Sequence, residues 1–66
     1  MTYAHLTEDE KAAVKQSAVR SLEYQMYSFE VEKIAENAKT SPNAEIVAAL
    51  TASIAEKQSQ ILAVLA

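Results

Sequence analysis

An all-α fold, an antiparallel hairpin of two long helices that dimerises into a four-helix bundle, is predicted by three observations on this 66-residue chain. Glycine is absent and proline occurs once, so there is almost no material for sheet turns. The stretch Lys39-Thr40-Ser41-Pro42-Asn43 is the only punctuation between two long runs that lack helix breakers. Apolar residues recur at threes and fours in both runs, on one face of the second run and on two nearly opposite faces of the first. A helix with one core partner needs one stripe, so two stripes imply two partners, and a chain this short supplies only one of them. The reading is a single domain over residues 1–66, with an arm at 1–6, a first helix at 7–39, a turn at 40–42 and a second helix at 42–65.

Each element has its own signal. Residues 1–6 carry no periodic pattern and read as a loose arm. Thr7 opens Thr-Glu-Asp-Glu, in which Thr7 can cap the helix while Glu10 reaches back to the N–H of the cap. Three acids in the first turn suit the positive end of the helix dipole. From Glu8 onward no Gly, Pro or Asn intervenes until Asn37, so one continuous helix is expected. Ser17 or Ser21 could begin a new helix and give a three-helix bundle, but neither is followed by an acid three residues on. In the punctuation, Ser41 reads as the cap of the second helix and Pro42 as its first residue, where the missing N–H is not needed. So short a connection makes the two helices antiparallel neighbours.

Folding the hairpin about residues 40–43 sets Ile34 opposite Val47, Val31 opposite Leu50, Tyr27 opposite Ile54 and Tyr24 near Gln58. The expected intramolecular core is therefore Tyr24, Tyr27, Val31 and Ile34 with Val47, Leu50, Ile54, Ile61 and Leu65, interrupted by Lys57, whose stem lies along apolar surface. The second helix is the shorter, so Glu8 to Gln16 project beyond its end. The other face of the first helix, Val14, Ala18, Leu22, Met26 and Phe29, is left for a second copy. An antiparallel contact there would pair Lys11 with Glu36, Lys15 with Glu32, Ala18 with Phe29 and Leu22 with Met26 across a two-fold axis. The strip Ala44, Ala48, Ala52 and Ala55 is either part of the same core or a further close-approach surface.

Composition bounds the chemistry. There is no cysteine, which excludes disulfides and thiolate metal sites. His5 has no acidic or histidine partner at helical spacing, so no metal site is expected and the residue reads as exposed. Glu23, Glu30, Glu32 and Glu36 form the one carboxylate cluster, and nothing encloses them as acid and base work requires. The net charge of -3 argues against a phosphate backbone or an anionic membrane surface. A helix-turn-helix reading fails because the second helix has one basic residue, Lys57. No signal-peptide pattern opens the sequence and the longest apolar run, Ile61 to Ala66, is far below the roughly 20 residues of a membrane span. Tyr3, Tyr24 and Tyr27 are the residues suited to recognition.

With no catalytic, cofactor or metal constellation, the expectation is a non-enzymatic, cytoplasmic, homo-oligomeric structural or interaction protein, a homodimer whose small size and lack of motifs suit an accessory protein of a bacterium or phage. Two rivals differ in class. One is a regulatory adaptor whose first helix takes a helix of another protein. The other is a ligand-binding or enzyme-accessory subunit, which would need a cavity between the helices lined by convergent polar groups.

Overall fold

The computed structural model describes residues 4–66 and contains two helices packed side by side, α1 (Glu8–Asn37) and α2 (Ala44–Leu65). No strand occurs among the described residues. Residues 1–3, half of the expected arm and the site of Tyr3, lie outside them.

Local chemistry sets the ends of α1. Thr7 stays extended as the cap, its Oγ1 accepting from the Glu10 N–H at 3.1 Å, while the Thr7 N–H donates to Glu10 Oε1 at 2.9 Å. Two of the four N–H groups that a helix start leaves without partners are satisfied in this exchange. The helix then runs unbroken through Ser17 and Ser21 for 30 residues, which removes the three-helix alternative. It ends two residues before the expected Lys39, with the Ala38 N–H donating to Ile34 O and the Lys39 N–H to Glu36 O.

The start of α2 differs from the sequence expectation. Asn43, not Ser41, is the cap, its Oδ1 accepting from the N–H groups of Glu45 at 2.9 Å and Ile46 at 3.3 Å. Pro42 accordingly lies outside the helix, which begins at Ala44. The deciding competitor is Glu36. Its Oε2 accepts the Asn43 N–H at 3.0 Å, a bond that aims that N–H back at α1 and leaves residue 43 extended instead of inside a first turn.

Three shallow grooves record how the helices lie. Leu65 borders Gln16 and Ser17, Leu50 borders Glu32, and Ile46 borders Ala35 and Glu36, so the helices are antiparallel and the first turns of α1 overhang the end of α2. The molecule is a rod of 55 × 16 × 15 Å. Ile61 is the one buried hydrophobic residue among those described, and no side chain is fully enclosed. The accessible surface is 5230 Å², against about 4100 Å² for a compact monomer of this mass.

Candidate protein-interaction surface

The two stripes of α1 exist, but their roles are exchanged relative to the sequence expectation. Val19, Leu22, Met26, Phe29, Glu30 and Lys33 are partly covered and Glu36 is buried. They recur at threes and fours, and among the described residues α2 is the one other helix that can cover them. Leu22, Met26 and Phe29, expected to meet a second copy, therefore face α2. Tyr24 and Tyr27 are each 68% exposed, Ile34 58% and Val31 46%, so the four residues expected in the hairpin core stand on the outer face.

The physical reason is at the turn. Glu36 Oε2 accepts from the first residue flanking α2, and Oε1 accepts from Lys39 Nζ at 2.9 Å. Glu36 must therefore point towards the connection. Phe29 and Leu22 lie one and two heptads before it on the same side of the helix, so the rotation of α1 about its axis is fixed with them inward. The axial register is close to the expected one, since Ile46 and Leu50 stand level with Ala35, Glu36 and Glu32. The error lay in azimuth.

On α2, Val47, Leu50, Ile54 and Val64 are partly covered and Ile61 is buried, with Lys57 partly covered in the same seam. Leu65, expected in the core, is 61% exposed. Leu62, to which no role was assigned, is exposed to the same degree. Ala44, Ala48, Thr51 and Ala55 are exposed beside it on the outside of α2.

The remaining residues of the expected dimer contact are dispersed. Val14, Ala18, Lys15 and Glu32 are exposed. Lys11 pairs with Glu8 of its own first turn at 3.4 Å, and Glu36 is engaged by Lys39 and Asn43, so the proposed pair of Lys11 with Glu36 across two copies has lost a member. Glu36 is also the buried charge that the sequence reading missed. Its carboxyl is held below the ordinary value of 4.5, first by the hydrogen bond from the Asn43 N–H, then by that from Lys39, against an opposing effect of partial desolvation. A Glu three residues before a Lys and seven before a cap residue was the available signal.

Glu23 and Glu32 are exposed, Glu30 is partly covered and Glu36 turns into the connection, so the four carboxylates do not converge. His5 is exposed, and no group of His, Asp and Glu suited to a metal ion occurs among the described residues. No helix among them is long and apolar enough to cross a membrane. What the arrangement offers is surface: an apolar stripe on α1, with Arg20 placed 5.9 Å over the Tyr24 ring at its edge, and Leu62 and Leu65 on α2. No protein-family model, curated protein or solved structure matches the chain.

Proposed function

We propose that this chain is a non-enzymatic interaction protein that associates with a second copy of itself through the outer stripe of α1. The observation that carries the reading is the imbalance between core and surface. One hydrophobic residue is buried among those described, while Tyr24, Tyr27, Val31 and Ile34 are exposed in a row along a single helix face. The spacing of three, four and three is that of a coiled-coil seam. A two-helix hairpin with so small a core is marginal by itself, and with no cysteine in the chain and no metal cluster among the described residues the staple this reading invokes is assembly.

The surface area points the same way. The accessible surface exceeds that of a compact monomer by about 1100 Å² because the molecule is a rod, and such a rod has side area to spare for the roughly 800 Å² that each partner contributes to a standard interface. In the cytoplasmic setting that the composition suggests, the protein is then a small homodimeric building block or accessory.

Sedimentation equilibrium and thermal melts followed by circular dichroism test this together. The expected result is a dimer whose melting midpoint falls on dilution, because a partner that binds only the folded state stabilises it by mass action. A monomer whose midpoint is constant over about a hundredfold range of concentration overturns the proposal.

A further inference from the structure

We draw no further inference here: the strongest candidate, the exposed stripe of Tyr24, Tyr27, Val31 and Ile34 on the outer face of α1, carries nothing beyond the self-association already proposed, since nothing in the structure shows what covers it.

Discussion

The inner and outer faces of α1 are chemically unlike, and the difference runs against intuition. The inner face is apolar at Val19, Leu22, Met26 and Phe29 and then charged at Glu30, Lys33 and Glu36 as it nears the turn, whereas the outer face carries Tyr24, Tyr27, Val31 and Ile34 over the stretch that ends at the turn. Close to the turn, a rule that ranked faces by apolar content would turn Val31 and Ile34 towards α2 in place of Lys33 and Glu36. The molecule does the opposite because the inner face carries the one carboxylate that satisfies the turn. A polar bond at the end of a helix thus accompanies the choice of which hydrophobic stripe is covered inside the chain and which stays exposed.

Opposed charge substitutions break this comparison most strongly. Ile61→Asp places a charge at the one buried hydrophobic position and is expected to cost more than about 3 kcal/mol. Far-ultraviolet circular dichroism should then show loss of helix at every protein concentration. Ile34→Asp falls on the outer face and leaves the inner seam intact. Its expected signature is a melting midpoint that no longer depends on concentration and equals the limit the native protein approaches on dilution. If both variants unfold alike at high concentration, the two faces are not separable and the distinction fails.

Which parts of the molecule can be read from sequence follows the same division. The capping box at Thr7 is written in four consecutive residues and needs no tertiary information. The break at residues 38–43 is equally local, since Pro42 and Asn43 leave no room for a continuous helix. The cap within it was misplaced by two residues because Ser41-Pro42 and Asn43 are each good starts on local grounds. The choice between them is made by Glu36, seven residues upstream of Asn43. Two stripes on α1 are visible from spacing alone, but their azimuth relative to α2 depends on that same long-distance bond, and periodicity carries no information about it. Leu22, Met26 and Phe29 accordingly moved from the expected interface to the covered face, and Tyr24, Tyr27, Val31 and Ile34 from the expected core to the exposed one.

Substitutions at the connection sharpen the comparison at smaller amplitude. Asn43→Ala removes the acceptor for the N–H groups of Glu45 and Ile46 and is expected to cost about 1 kcal/mol. Ser41→Ala and Pro42→Ala touch no cap bond and are expected to stay within about 0.5 kcal/mol. Urea unfolding at fixed protein concentration checks the order. A Ser41→Ala cost equal to that of Asn43→Ala would mean that α2 starts earlier than Ala44.

The smallest effect is the most specific to the turn. Glu36 has its carboxyl held below the ordinary value of 4.5, chiefly by the Asn43 N–H and then by Lys39. A carboxylate whose folded pKa is depressed contributes stability that is fully present above its unfolded value and is lost as the pH falls through the folded one. Glu36→Gln keeps an oxygen able to accept the Asn43 N–H but removes the charge, so the helix rotation is expected to survive and only the acid limb to change. Measured by urea unfolding across pH, the stability difference between native protein and variant should be constant above the ordinary carboxylate range. It should shrink steadily below that range, as the native residue too becomes neutral. Glu36→Leu separates charge from acceptor, because it strands the Asn43 N–H at every pH and should destabilise with no such acid dependence. A native-minus-Gln difference that is flat through the acid range would mean that the charge of Glu36 does not hold the turn. The rotation of α1 would then have to be set by the apolar seam alone.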